Sequence, residues 1–212
     1  MIRISPSLLS ADLARLAEAV DIVADEAHYI HCDIMDGHFV PNLTFGAPVV
    51  AAIKRASAIP LDVHLMIESP GKWIDDYIKA GLDEKDFLTF HYEAEPDSEE
   101  VIKRIRDSGV RPGIAIKPKT EYEQFEYLIK LVDQVLIMTV EPGFGGQEFM
   151  QDKLIKVKKI RQAFPSVVIG VDGGIDINTA SVAVQAGADL LVAGTAIYGQ
   201  PDPGVAIKNI LR

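Results

Sequence analysis

Two histidines and two aspartates, His31, Asp33, His64 and Asp172, each stand near the end of a short apolar run, and together they make a donor set for a divalent cation. The stretch His31-Cys-Asp-Ile-Met-Asp-Gly-His-Phe-Val-Pro-Asn42 follows the β-prone Tyr29 and Ile30 and carries the turn signal Asp36-Gly37. In a strand alternate side chains share a face, so His31, Asp33 and Met35 point one way and Cys32 and Ile34 the other. An imidazole beside a carboxylate is half of a site for Zn²⁺ or Fe²⁺, or for Mn²⁺ or Co²⁺. The runs Leu61-Asp-Val-His-Leu-Met66 and Val167-Val-Ile-Gly-Val-Asp172 supply the rest through His64 and Asp172. Cys32 alternates away from the ligand face, which argues against a thiolate site. Taken singly, His31 reads equally well as a strand-end core histidine; Asp33 and the matching His64 favour the metal. Asp62 shares the face of His64, either as an acceptor that orients it or as a plain salt-bridge partner.

Two carboxylates on opposite sides of a substrate suit proton removal from one face of a carbon and return to the other. That carbon must be acidified by a neighbouring carbonyl, and the resulting enediolate needs positive charge close by, which a metal supplies. Contact with the metal also keeps Asp33 and Asp172 ionised against the effect of burial.

Three glycine-rich turns, Pro142-Gly-Phe-Gly-Gly146, Asp172-Gly-Gly174 and Ala193-Gly-Thr-Ala196, follow apolar runs and read as a phosphate cradle. Each alone is equally a tight turn; three in a row favour phosphate, and the first is also a candidate lid. Met35, Met66 and Met138 sit at strand ends as adaptable packing or as a polarisable floor beneath an intermediate. Ser7 is placed to bond a sugar hydroxyl or its own backbone. Pro41, Asn42, Phe45 and Gly46 shape a loop, while Trp73, Tyr77 and the acidic run from Glu93 to Glu100 read as surface or packing positions.

These residues must be brought together by the elements between them. Strands are expected near 3–9, 29–34, 61–66, 87–91, 112–116, 134–140, 167–172 and 189–193. Helices are expected near 11–25, 47–57, 71–81, 98–108, 121–131, 150–163, 178–186 and 203–211. Ser10 or Asp12 is the expected cap of the first helix and Asn178 of the seventh, with Pro48 inside the start of the second and Gly81, Gly109 and Gly187 at helix ends. Eight strand–helix units in 212 residues, with mostly continuous apolar strands, predict one α/β domain over 1–212, a closed (β/α)8 TIM barrel rather than an open sheet. Active residues of a barrel lie at the C-terminal ends of its strands, where these residues fall. The net charge of −10 excludes a nucleic-acid binder but not a small phosphorylated substrate. A single cysteine, no apolar run of membrane-spanning length and no signal-peptide pattern point to the cytoplasm, away from membranes.

The chain resembles the ribulose-phosphate 3-epimerase family from end to end. The resemblance is carried by Pro6-Ser-Leu-Leu-Ser-Ala-Asp12, by His31 to Asn42, by Asp62-Val-His-Leu-Met66, by Val140-Glu-Pro-Gly-Phe-Gly-Gly-Gln147 and by Val171-Asp-Gly-Gly-Ile175. It implies interconversion of D-ribulose 5-phosphate and D-xylulose 5-phosphate, a step of the pentose phosphate pathway, by inversion at C3 through a metal-stabilised enediolate. His31, Asp33, His64 and Asp172 would hold one divalent ion per subunit, most commonly Zn²⁺ or Fe²⁺. Asp33 would be the base in the ribulose-to-xylulose direction and Asp172 the acid, with roles exchanged in reverse. Ser7 and His64 would contact the sugar; Gly143, Phe144, Gly145, Gly146, Gly173, Gly174, Gly194 and Thr195 would line substrate and phosphate; Met35, Met66 and Met138 would form a layer beneath the reacting carbons. Homo-oligomers from dimer to hexamer are implied too. A sister epimerase for a hexulose 6-phosphate would share the ligands. Decarboxylases and aldolases of related barrels use Asp-x-Lys where this chain has Asp33-Ile-Met35, and a sugar-phosphate sensor would not need all four ligands.

Overall fold

A computed structural model describes residues 2–212; Met1 lies outside the described residues. Eight strands run in parallel: β1 (Arg3–Pro6), β2 (Ile30–Met35), β3 (Leu61–Met66), β4 (Phe87–His91), β5 (Arg111–Ile116), β6 (Gln134–Met138), β7 (Val168–Asp172) and β8 (Leu190–Ala193). Their order, β1-β8-β7-β6-β5-β4-β3-β2, is nearly a ring, and the Ser7–His31 bridge brings the two end strands together. The helices α1 (Leu16–Val23), α2 (Ala47–Ala56), α3 (Ile74–Lys79), α4 (Ser98–Asp107), α5 (Tyr122–Phe125), α6 (Leu154–Ala163), α7 (Thr179–Ala186), α8 (Thr195–Tyr198) and α9 (Pro203–Ile210) interleave with them. This is the (β/α)8 TIM barrel that the alternation predicts.

Strand alternation divides each strand between two environments. Cys32, Val63, Leu88, Ile114, Val135, Ile169 and Leu191 point outward into one apolar core shared with the helices. Burial there, at about 25 cal/mol per Å² of apolar surface, is the main force holding helices on the ring. The inward positions carry the polar residues. His31, Asp33, Asp62, His64, Thr89 and Gln134 are all buried, above a lower plug of Tyr29, Phe87 and Leu190.

Several elements are shorter than expected, each for a local reason. β1 stops at Pro6 because Ser7 Oγ accepts from Leu9 N and caps a 3-10 turn over Leu8–Ser10. Ser10 therefore caps nothing, Asp12 caps a second 3-10 turn at Leu13–Arg15, and α1 begins only at Leu16. α3 and α6 are each preceded by a 3-10 turn, α5 is one α-turn continued as 3-10 to Leu131, and the short α8 is additional. Asn178 makes no side-chain cap; the Asp176 carboxylate accepts from Asn178 N and Thr179 N instead. Gly81, Gly109 and Gly187 take φ of +97°, +91° and +115° at helix ends, the left-handed geometry that a glycine stop supplies.

Candidate active site

Register assembles the site. β2 and β3 pair His31 with Asp62 and Asp33 with His64, so two imidazoles and two carboxylates occupy one corner of the barrel interior. β7 adds Asp172, paired with Met138 of β6. One donor atom from each of His31, Asp33, His64 and Asp172 lies within 4.8 Å of every other. His31 Nε2 stands 3.3 Å from Asp33 Oδ1 and 3.7 Å from Asp172 Oδ2. His64 Nδ1 stands 3.4 Å and 3.6 Å from the same two oxygens.

Three of the four are also fixed from behind. His31 Nδ1 lies 2.7 Å from Asp62 Oδ2, and Gln134 Nε2 donates to Asp62 Oδ1 at 3.1 Å. Asp62 therefore orients His31, not His64 as its alternation suggested, because it stands beside His31 in the parallel register. His64 Nε2 instead meets His91 Nε2 at 3.0 Å, and His91 Nδ1 meets Glu93 Oε2 at 3.2 Å. Ser7 Oγ donates to Asp33 Oδ2 at 2.6 Å, and Thr44 Oγ1 donates to the Asp33 carbonyl at 2.6 Å.

The donor set fits a divalent cation on an internal criterion. His31 Nε2 and His64 Nδ1 are buried and have no hydrogen-bond partner, and both face the two carboxylates. Buried polar nitrogens are rarely left so, and an ion between them and the carboxylates would satisfy all four groups. Without it, burial works against a charged His31, yet Asp33 and Asp62 outweigh burial and hold its pKa well above the usual 6.5. Burial likewise opposes charge on His64, and Asp172 and Asp33 raise it. Burial would raise Asp33, but His31 and His64 pull it well below the carboxylate range. His91 goes the other way: burial takes its pKa down to about 4. Glu93, despite burial, is held at about 2, first by its hydrogen bond to His91 and also by donors from Thr120 and Lys117.

Above the four ligands is a cavity of about 100 Å³. Ser7, Asp33 and Asp172 face it, with Met35, Met66 and Met138 on its floor and Gly143, Phe144, Gly145, Gly146, Gly173, Gly174, Gly194 and Thr195 around it. His64, expected at the sugar, does not line the cavity and lies fully buried beneath it. Gly173 and Gly174 have φ of +115° and +67°, and a Cβ on Gly174 would stand 2.9 Å from the Phe149 backbone. Among the described residues no Lys, Arg or His lines the cavity, so an anion there would be met by backbone and hydroxyl donors.

Residues 3–198 match the ribulose-phosphate 3 epimerase family. The ribulose-phosphate 3-epimerase of Bacillus subtilis is 44% identical over 99% of this chain and 98% of its own length. The chain belongs to the ribulose-phosphate 3-epimerase family. The Treponema pallidum enzyme of the same name is 46% identical over 92% of this chain and 90% of its own. The fold extends further than the family: the orotidine 5'-phosphate decarboxylase of Pyrococcus horikoshii superimposes with a TM-score of 0.69 at 17% identity, covering 99% of this chain and 97% of that one.

Sequence reasoning missed Ser10, His91 and Glu93. Ser10 Oγ lies 3.3 Å from Thr195 Oγ1 at the cavity edge, a pairing between residues 185 positions apart that no local pattern reports. His91 closes an apolar strand as His31 and His64 interrupt theirs, and that shared position was the available signal. Glu93, read as a surface or packing position, is exposed as a residue, but its side chain is only 19% exposed and meets His91. Trp73 is a surface residue as expected, and Tyr77 is packed.

Proposed function

We propose that this chain is a metal-dependent epimerase that interconverts D-ribulose 5-phosphate and D-xylulose 5-phosphate by moving a proton at C3 between Asp33 and Asp172. The observation that carries the reading is the convergence of His31, Asp33, His64 and Asp172 beneath a cavity that Asp33 and Asp172 line, in a chain of this family. His31 Nε2, His64 Nδ1 and a carboxylate oxygen from each aspartate would hold the ion, of which Zn²⁺ and Fe²⁺ suit imidazole and carboxylate, with Mn²⁺ and Co²⁺ as further candidates. When bound, a divalent cation supplies positive charge against the enediolate oxygens.

The chain's own residues do the rest. Asp33 enters from β2 and Asp172 from β7, with β1 and β8 between them, so the two carboxylates address a substrate from different sides. Asp33 takes the C3 proton of the ribulose epimer through an oxygen that Ser7 Oγ holds by a 2.6 Å hydrogen bond. Asp172 returns a proton to the other face, and the roles exchange in the reverse direction. Met35, Met66 and Met138 exclude water under the reacting carbons while adapting to both epimers. Backbone N–H groups of the glycine turns and the hydroxyls of Ser10 and Thr195 receive the phosphate, and the Gly143–Gly146 turn closes over it. The reading includes a cytoplasmic enzyme; no helix among the described residues is long and apolar enough to cross a membrane. It also includes a homo-oligomer of two to six copies, which an apolar surface groove around Leu43, Phe45 and the half-exposed Trp73 supports and sedimentation would measure.

The test is to incubate metal-loaded protein in D₂O with D-ribulose 5-phosphate and, separately, with D-allulose 6-phosphate, following epimer formation and deuterium at C3 by NMR. Faster conversion of the pentose with deuterium entering is expected. Preference for the hexose would reassign the substrate, and no exchange with either sugar by metal-loaded protein would end the epimerase reading.

A further inference from the structure

His64 offers one nitrogen to the metal centre, and its other nitrogen begins a buried chain that the mechanism does not use. His64 Nε2 lies 3.0 Å from His91 Nε2, and His91 Nδ1 lies 3.2 Å from Glu93 Oε2. Both rings are fully buried. Glu93 accepts further hydrogen bonds from Lys117 N at 2.9 Å and from Thr120 Oγ1. A carboxylate with these partners only accepts, and that sets the direction of the whole chain. His91 Nδ1–H must donate to Glu93, so His91 Nε2 keeps its lone pair and accepts from the Nε2–H of His64. The proton of His64 is thereby held on the far side of the ring, and its bare Nδ1 faces Asp33 Oδ1 at 3.4 Å and Asp172 Oδ2 at 3.6 Å.

We propose that His91 and Glu93 are positioning residues for the metal centre, fixing the tautomer and orientation of His64 so that Nδ1 is its donor atom. The inference rests on the metal reading of the site. Its logic has a counterpart at the other histidine. Asp62 takes the Nδ1–H of His31 at 2.7 Å and leaves Nε2 for the cluster. The two ligands thus present opposite nitrogens, and each has its own acceptor behind it, which is how outer residues select a tautomer and raise ligand basicity. The relay is braced as well as polarised. Phe39 packs on the His91 ring with centroids 4.9 Å apart, and Lys117 Nζ lies 3.6 Å from the Phe39 centroid. The buried Lys156 donates to the carbonyls of Lys117 and Pro118 at 3.0 and 2.9 Å, pinning the segment that presents Lys117 N and Thr120 to Glu93.

The experiment titrates metal-free protein with Zn²⁺ against a competing chelator and records the imidazole nitrogen-15 shifts of His64 in the zinc-loaded form. The proteins are the unaltered chain, His91→Leu, His91→Gln and Glu93→Gln, with thermal unfolding of each as a fold check. His91→Leu is expected to weaken Zn²⁺ binding by about 10- to 100-fold and to lose the single Nδ1-bound signature. His91→Gln, whose amide oxygen can accept from His64 Nε2–H, should recover most of the affinity. Glu93→Gln, outside the core, should weaken binding by a smaller factor. A merely structural role would lower thermal stability and leave affinity and tautomer alone; that result overturns the proposal. Should His91→Leu fail to fold, unchanged affinity and an unchanged His64 signature in Glu93→Gln would overturn it. Absence of one tightly bound Zn²⁺ in the unaltered chain would overturn the metal reading itself, a result distinct from normal binding that ignores His91.

Discussion

Replacing Asp62 by Asn removes a charge from the barrel interior while keeping the shape of the side chain, and the hydrogen bonds around it decide how much that costs. Asp62 is fully buried; Oδ2 accepts from His31 Nδ1 at 2.7 Å and Oδ1 from Gln134 Nε2 at 3.1 Å. An Asn must keep its oxygen on His31 to preserve the tautomer, which turns its NH₂ toward the NH₂ of Gln134. Gln134 Oε1 has no hydrogen-bond partner, so the Gln134 amide can turn over and accept without losing a bond it already has. Asp62→Asn therefore loses only the charge assistance of one hydrogen bond, about 1 kcal/mol. That is roughly a fivefold to tenfold loss of Zn²⁺ affinity. Asp62→Leu removes the acceptor altogether, leaves His31 Nδ1–H unsatisfied at a cost of about 1–3 kcal/mol, and frees the wrong tautomer. Its affinity should fall about 100-fold. Asp62→Asn combined with Gln134→Leu blocks the amide rescue and should fall to the Asp62→Leu level. Chelator-competition titrations of the three proteins, with circular dichroism to verify folding, measure the order. Asp62→Asn as damaging as Asp62→Leu, or Asp62→Leu binding zinc normally, would refute the reasoning.

Gly174→Ala forces the backbone of Phe149 to move, since a Cβ there would lie 2.9 Å from it at φ +67°, whereas Gly37 at φ +72° has open space around it. Steady-state kinetics should show a loss of about 100-fold in kcat/KM for Gly174→Ala, and Gly37→Ala should show only about 1 kcal/mol of lost stability in thermal unfolding. Asn42 Nδ2 donates to the Gly143 carbonyl at 2.7 Å, tying the loop after β2 to the turn over the cavity. Asn42→Ala should raise KM more than it lowers kcat and speed amide exchange in 142–147, as mass spectrometry would record. The pKa of His91, about 4 when folded against an ordinary 6.5, lies below its unfolded value, so the unfolded chain takes the proton first. Its stabilisation is complete above about pH 6.5 and is lost as pH falls toward 4, by about 3 kcal/mol in all. His31 and His64, with raised pKa values, keep their contributions across that window. Denaturant unfolding of metal-free protein should show this decline, and His91→Gln should flatten it; equal slopes would remove His91 as the cause.

The ligand strands were legible because their signals are local. The runs at 61–66 and 168–172 are apolar in the right places, and a His-x-Asp spacing puts two donors on one face whatever the partner strand. What stayed hidden depends on register. Asp62 sits beside His31 because β2 and β3 pair in that frame, and a sequence gives alternation along a strand but no offset between strands. Glu93 sits in an acidic run whose composition reads as surface or packing, and its side chain is turned toward His91 by partners at residues 91, 117 and 120, none of which a local pattern reports. The first helix starts later than its periodicity predicts because Ser7 and Asp12 each satisfy backbone donors locally, forming 3-10 turns where a continuous helix would otherwise start.

The central claim is that Asp33 and Asp172 each serve one face of C3. Both Asp→Asn variants, loaded with metal in D₂O, would be given each pentulose phosphate separately, with deuterium at C3 and epimer content followed by NMR. Asp172→Asn should wash deuterium into D-ribulose 5-phosphate without forming the epimer. Asp33→Asn should do the same with D-xylulose 5-phosphate. Epimer formation by either variant at the rate of the unaltered protein would contradict the account.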